Sequence, residues 1–185
     1  MPITRQSGLA RASTGIFFLL ALLLSLGVAA FSYHSVRDFE RRAVWLQHSY
    51  TVLNKLEEAN STLRDTVSSS RGFALSGEQE YRNNFESGVR HVNALLQDLR
   101  RLLSDNPRQA GLLGQTEDLV MQRLTLSRQL MELSQEEGRA RVLEGKELGE
   151  RIRTGFEQMK GNENALLATR AHDTAMSANL TIFMV

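Results

Sequence analysis

The chain has 185 residues, enough for about one domain. Its 22 Lys and Arg nearly balance 21 Asp and Glu, so it lacks the basic excess of nucleic-acid binders, and no nucleic-acid partner is expected. The absence of cysteine excludes a disulfide scaffold, a thiolate metal or iron–sulfur centre and a cysteine nucleophile. Aromatic residues make up 6% of the chain, and Pro2 and Pro107 are its two prolines. Leu, Ala, Glu, Gln and Arg dominate the rest. This is the composition of long helices, and it argues against a β or α/β core.

The first element is apolar. From Thr14 to Tyr33 the chain reads TGIFFLLALLLSLGVAAFSY, without a charge. As a helix it spans roughly 30 Å, the thickness of a bilayer's hydrocarbon core. Arg5 and Arg11 precede it with no acidic residue, which predicts a cytoplasmic N-terminus. Val28-Ala29-Ala30 would also suit signal-peptide cleavage, the alternative that leads to a secreted or periplasmic helical adaptor. The run is longer than a usual signal core, and the reading adopted is an uncleaved anchor. Residues 175–185, AMSANLTIFMV, become apolar again and are read as the start of a second membrane helix, cut short where the sequence ends. The expected division is therefore a cytoplasmic 1–12, a membrane helix over 13–34, an extracytoplasmic helical domain over 35–174 and the second membrane segment from 175.

Three marks divide the polar stretch into four helices. Gly77 suits the left-handed residue that ends a helix. Asn106 is a good N-cap before Pro107 at the first helical position, with Gln109 completing a capping box. Gly145, in Glu144-Gly145-Lys146, is read as a third stop, and Gly111, Gly114 and Gly138 as places where helices fray.

Each segment carries an apolar seam. The first has Leu46, Leu53, Asn60, Val67 and Ala74 at sevens, with Leu56 and Leu63 between. The second has Tyr81, Phe85, Val89, Val92, Leu96, Leu99 and Leu103. The third has Leu112, Leu119, Leu126, Leu133 and Ala140, and the fourth Ile152, Met159 and Leu166. A period near 3.5 means helices packed along one another, and short connections make successive helices antiparallel. The first and third segments are expected to be long, about forty residues each by the spacing of these marks. The fold class is thus all-α: a membrane-anchored antiparallel four-helix bundle whose long helices continue into the membrane helices.

Chemistry is sparse. His34, His48, His91 and His172 stand singly, so no paired-histidine metal site is expected. No glycine-rich phosphate loop occurs, and no cofactor is expected. Glu57-Glu58 and Glu136-Glu137 read as solvated helix faces rather than an acid and a base. Asn60, Arg123 and Glu137 fall at seam positions, as register-setting or snorkelling residues or, for Arg123, as a ligand contact.

One run is more specific. Ser70-Arg71-Gly72-Phe73-Ala74-Leu75-Ser76-Gly77-Glu78-Gln79-Glu80-Tyr81 resembles the signature of the type-three CHASE sensor domain, an "RGYLLTGDExY"-like stretch between the first two helices. Phe73 stands for the family's Tyr or Phe, Ser76 for Thr and Glu78 for an acidic residue. The resemblance continues at Asn106-Pro107-Arg108-Gln109, Gly145-Lys146 and Ile152-Arg153, and departs at Asn83-Asn84 and in lacking a methionine-rich continuation after Lys146. In physical terms the run is a hairpin corner. Gly77 ends one helix, Glu78 and Glu80 favour the next helix's dipole, Arg71 is expected to reach them, and Phe73 and Tyr81 to staple the ends.

The resemblance implies an extracytoplasmic input module of a bacterial receptor in the inner (plasma) membrane, first of all a sensor histidine kinase of a two-component system. A diguanylate cyclase or chemoreceptor is the alternative parent. It implies no catalysis by this stretch, a homodimer, and an extracytoplasmic ligand or protein as stimulus. Candidate sensing or corner residues are Arg71, Gly72, Phe73, Gly77, Glu78, Tyr81 and Arg123; none is assigned as catalytic, cofactor-binding or metal-binding.

Overall fold

The computed structural model describes the backbone of residues 6–133 and 141–183. Side chains are described for 17–133, except 38, 39 and 42, and for 141–169. Glu136, Glu137, Gly138 and Ala140, and the side chains of His172 and of 175–185, lie outside that set. Among the described residues all regular structure is helical: α1 (Gln6–Ser76), α2 (Gln79–Leu102), α3 (Pro107–Leu130) and α4 (Val142–Phe183). The residues divide into two units, 1–45 and 46–185.

In the first unit, Phe17–Arg37 is a helical stretch of 21 residues, long and apolar enough to cross a membrane. All its side chains are exposed. Towards its end the Arg37 guanidinium lies 5.0 Å over the Tyr33 ring, which meets His34 edge-on.

In the second unit one apolar cluster draws on all four helices. Val52, Leu56, Ala59, Leu63 and Val67 come from α1, and Phe85, Val92, Leu95, Leu96 and Leu99 from α2. Leu113, Val120 and Leu124 come from α3, and Ile152, Phe156 and Met159 from α4. Neighbouring helices meet with rising numbers on one against falling numbers on the other. Lys55 lies 3.8 Å from Asp98, Glu58 3.3 Å from His91, and Thr66 faces Gly88. Likewise Gln109 bonds to Met159, Thr116 faces Gly155 and Arg123 faces Gly145. Between α2 and α3, Arg100 pairs with Glu117 and Arg128 with Glu86. Between α1 and α4, Lys160 Nζ lies 2.8 Å from Glu57.

Local signals formed as expected at two corners. Gly77 has φ +71°, its N–H donates to Phe73 O at 2.8 Å, and Ser76 Oγ accepts from the Glu78 N–H. Asn106 Oδ1 accepts from the Gln109 N–H at 3.2 Å, with Pro107 as the first helical residue. The other half of the capping box is not made. The Gln109 side chain is buried and donates to Met159 O at 3.2 Å instead, because α4 covers it.

The third corner lies elsewhere. α3 ends at Leu130 after 24 residues, not about forty, and Gly145 sits inside α4. A Cβ on Gly145 would stand 3.2 Å from Arg123 Nη1, so this glycine admits a side chain from α3 and ends nothing. Gly111 and Gly114 likewise lie within α3.

The seam of α3 is turned by about one residue. Leu113, Thr116, Val120, Leu124 and Ser127 are buried, while Leu112, Leu119 and Leu133 are half-buried at the stripe's edge. Leu126 is buried but outside the main cluster. A helix with neighbours on several sides buries a broad stripe, and a strict heptad reading finds one margin of it. In α1, Leu56, Leu63 and Val67 are buried as expected, but Leu46 and Ala74 are exposed, and Leu53 and Asn60 half-buried. The seams of α2 and α4 hold better, Leu95 and Phe156 being added and Tyr81 remaining partly exposed.

Two glycines set the helix spacing. A Cβ on Gly88 would overlap Thr66 Oγ1, and one on Gly155 would overlap Thr116 Oγ1; both threonines are buried. Gly111 and Gly161 face open space. Gly88→Ala and Gly155→Ala should therefore each destabilise by about 1–3 kcal/mol, through forced separation of the helices. Gly111→Ala and Gly161→Ala should each stabilise by up to about 1 kcal/mol through helix propensity. Unfolding of the full chain in detergent, followed by circular dichroism, distinguishes the two pairs; the same sign at all four would show that propensity, not approach, decides.

Candidate functional site

Buried polar side chains interrupt the apolar interior at several levels, and two of them involve α3 and α4. At one, Gln109 meets Met159 O and approaches buried Glu163 at 3.5 Å. At the other, nearer the Gly77 corner, Arg123 projects from α3 towards α1 and α4.

Arg123 is 5% exposed. Its Nη1 donates to Ser127 Oγ at 3.1 Å, one turn along the same helix, and the bare backbone at Gly145 leaves room for the guanidinium. Among the described residues no carboxylate pairs with it. Burial lowers its pKa, and the like charge of Arg71 lowers it further. A guanidinium stays charged even so, and this one carries its charge into the interior.

The guanidinium opens on a cavity of about 410 Å³ between α1 and α4. Leu63, Val67 and Ile152 supply its apolar wall, and Gly145 and Gly149 keep it open. Arg64 and Arg71 from α1, and Lys146 and Arg153 from α4, bring further positive charge, against the single acid Glu150. Arg153 is held by Glu150 at 2.7 Å, and Arg64 lies 3.8 Å from Glu57. Arg71 and Lys146 have no acidic partner among the described residues. Glu57 is engaged mainly by a hydrogen bond from Lys160, which holds its carboxyl below the usual range.

The sequence-derived candidates thus separate into two groups. Arg71 and Arg123 meet at the cavity. Arg71 forms no ion pair with Glu78 or Glu80, contrary to expectation, because its position on α1 faces α4 and α3 rather than the corner. Gly72, Phe73, Gly77, Glu78 and Tyr81 remain at the corner. There the Tyr81 ring covers Gly72, where a Cβ would stand 2.6 Å from the ring, so the staple is tyrosine on glycine. Phe73 packs on the core edge, with the Arg82 guanidinium 5.5 Å over its ring.

Arg64 stands outside the sequence-derived readings, and Lys146 and Arg153 enter them only through the family resemblance, not as candidate site residues. Their signal was present: Arg64 and Arg71, like Lys146 and Arg153, lie seven apart, which places each pair on one helix face. Among the described residues no group of three or more His, Asp or Glu side chains is placed to hold a metal ion.

The model of the CHASE3 domain matches residues 42–173. The chain belongs to the CHASE3 domain family. The match contains the cavity, both corners and the four-helix core. A solved structure similar to this CHASE3 domain is the Rhodopseudomonas palustris histidine kinase HK9 sensor domain, with a TM-score of 0.59 and 26% sequence identity. The likeness covers 65% of this chain and 98% of that one. No curated protein matches the chain.

A buried cation without a counter-charge costs stability, and replacing such a group by an apolar side chain of similar length is often neutral or favourable. Arg123→Met should accordingly raise the stability of the full chain by about 1 kcal/mol, read as a higher midpoint of thermal unfolding in low-salt detergent solution. A clearly lowered midpoint would show that Arg123 is there for packing.

Proposed function

We propose that this CHASE3 domain is the extracytoplasmic input module of a bacterial transmembrane receptor, a sensor histidine kinase of a two-component system. The family match over 42–173, placed after the apolar helical stretch Phe17–Arg37, carries the reading. The likeness to a histidine kinase's sensor domain favours that class of parent. In this reading the four helices close as an antiparallel bundle over 35–174, anchored in the inner membrane by the 13–34 helix. A second membrane segment begins at 175, and catalysis belongs to an output domain of the parent.

The stimulus enters at the cavity between α1 and α4 and leaves by motion of those two helices. A homodimer is part of the proposal. Exposed Leu46 and Tyr50, with half-buried Leu53, form an apolar stripe at helical spacing that one chain leaves uncovered.

The orientation is tested with a reporter active only in the periplasm, fused near Pro107. It should be active there, with residues 1–12 inside, the orientation that the basic flank Arg5 and Arg11 favours. Activity of a cytoplasmic reporter at the same point would reject the orientation.

The transmission step has its own test. A sliding or rotation of packed helices is an established switching mode. If α4 acts as a rigid rod, one residue inserted after His172 turns everything beyond it by about 100°, whereas seven restore phase to within about 20°. In the full receptor, single insertions should lock or invert output and the seven-residue insertion should keep much of the response. Output that falls smoothly with insertion length, regardless of phase, would identify a flexible tether.

A further inference from the structure

We propose that the cavity between α1 and α4 binds a small organic acid carrying two or more carboxylates, with Arg123 as its buried anchor. The inference rests on the sensory reading for its physiological role, but not for the binding itself.

Charge decides the sign of the ligand. Five basic side chains line the space and one acid does, and that acid is taken up by Arg153. A surface patch of this kind would be screened by water and salt. Here one of the five is Arg123, almost wholly buried, held in place by Ser127 Oγ and without an acidic partner among the described residues. Desolvating a guanidinium is unfavourable unless an opposite charge arrives. Gly145 maintains the arrangement, since the backbone there makes room for the cation.

Geometry favours carboxylate. A guanidinium offers parallel N–H donors that match the two oxygens of a carboxylate, and a fixed guanidinium loses little freedom in binding it. Arg71 and Lys146 come from the two helices flanking Arg123 and leave charge for a second acidic group.

The apolar wall and the volume decide against a simple inorganic ion. Leu63, Val67 and Ile152 would gain nothing from inorganic phosphate but would pack on a short hydrocarbon segment. A space of about 410 Å³ falls within the range of small-molecule sites, roughly 300–1,000 Å³.

The test uses the full chain in a non-ionic detergent, titrated by calorimetry with succinate and citrate, with neutral succinamide and with inorganic phosphate. At least one di- or tricarboxylate should bind saturably and raise the unfolding midpoint, succinamide should not, and phosphate should bind more weakly. Arg71→Gln and Lys146→Gln, changes at the cavity mouth, should each weaken binding about tenfold, as should Arg123→Gln where it folds. Arg90→Gln, an exposed change of the same net charge, should leave binding unaltered.

Among the binding results, three would overturn the assignment: no saturable binding by either acid, phosphate binding as tightly as the acids, or equal weakening by Arg90→Gln and Arg71→Gln. The last two would mean unspecific attraction to positive charge. A receptor that responds to the acid while the chain fails to bind it would also overturn the site. A chain that binds the acid in a receptor indifferent to it would support the site and reject the sensory reading.

Discussion

A helix with one apolar stripe is marginal by itself in water, and it becomes stable when that stripe is covered along its length. The second unit meets this constraint by directing four stripes at one interior, from Val52 on α1 to Met159 on α4. How closely the helices approach is then fixed at a few points. Gly88 lies against Thr66 and Gly155 against Thr116, each a bare backbone meeting a short buried hydroxyl side chain. The threonines satisfy their hydroxyls within their own helices, Thr66 to Thr62 O and Thr116 to Leu112 O, so the polar atoms demand nothing of the neighbour. These contacts pair α2 with α1 and α4 with α3, and the cavity lies between the two pairs, where Gly145 and Gly149 lack bulk.

What could be read in the sequence follows the range of the interaction involved. Gly77 and the Asn106–Pro107 cap were legible because the bonds that give them meaning lie within four residues. The seam of α2 was legible because its apolar residues occupy nearly the whole buried face. Gly145 was misread because its role depends on Arg123, 22 positions earlier, and a glycine making room for a guanidinium resembles a glycine ending a helix. Gln109 was misread for the same reason: its capping-box position is local, but the carbonyl that takes its side chain belongs to Met159. Arg71 was assigned to acids two turns away in sequence, whereas helix orientation turns it to Arg123. The family signature identified the chain and its corner, and the cavity joins its Arg71 to Arg123 and to residues of α1 and α4 distant from it in sequence.

The two polar levels that involve α3 and α4 differ in kind. Gln109 and Glu163 make hydrogen bonds across α3 and α4 and thereby tie those helices in register. Arg123 bonds within its own helix and crosses to the others with charge alone. Gln109 Oε1 has no hydrogen-bond partner among the described residues, yet the bonds its Nε2 makes across the interface favour one arrangement. A buried cation without a partner instead favours whatever arrangement brings it an anion. The first behaves as a lock, the second as a demand not yet met.

That difference supplies a physical basis for movement between α1 and α4. Near the cavity Arg71 of α1 and Lys146 of α4 have no acidic partner among the described residues, whereas Arg64 and Arg153 lie by Glu57 and Glu150. Further along the same two helices Lys160 holds Glu57, an attraction. In the proposed function, α1 and α4 would move relative to one another about the Glu57–Lys160 contact. In a wet groove each close pair of unit charges contributes on the order of 1 kcal/mol. An anion that neutralises more than one of the cavity's cations at once would, in the proposed function, favour whichever arrangement of α1 and α4 brings those cations nearest to it. Typical coupling between a ligand site and a distant one is about 1–3 kcal/mol. A ligand drives such a shift only by its difference in affinity between the two arrangements. A single charge binding Arg123 alone would sit equally well in both. A ligand that spans Arg123 and the cations of α1 and α4 would not, so in the proposed function the distribution of charge across three helices matters more than its total.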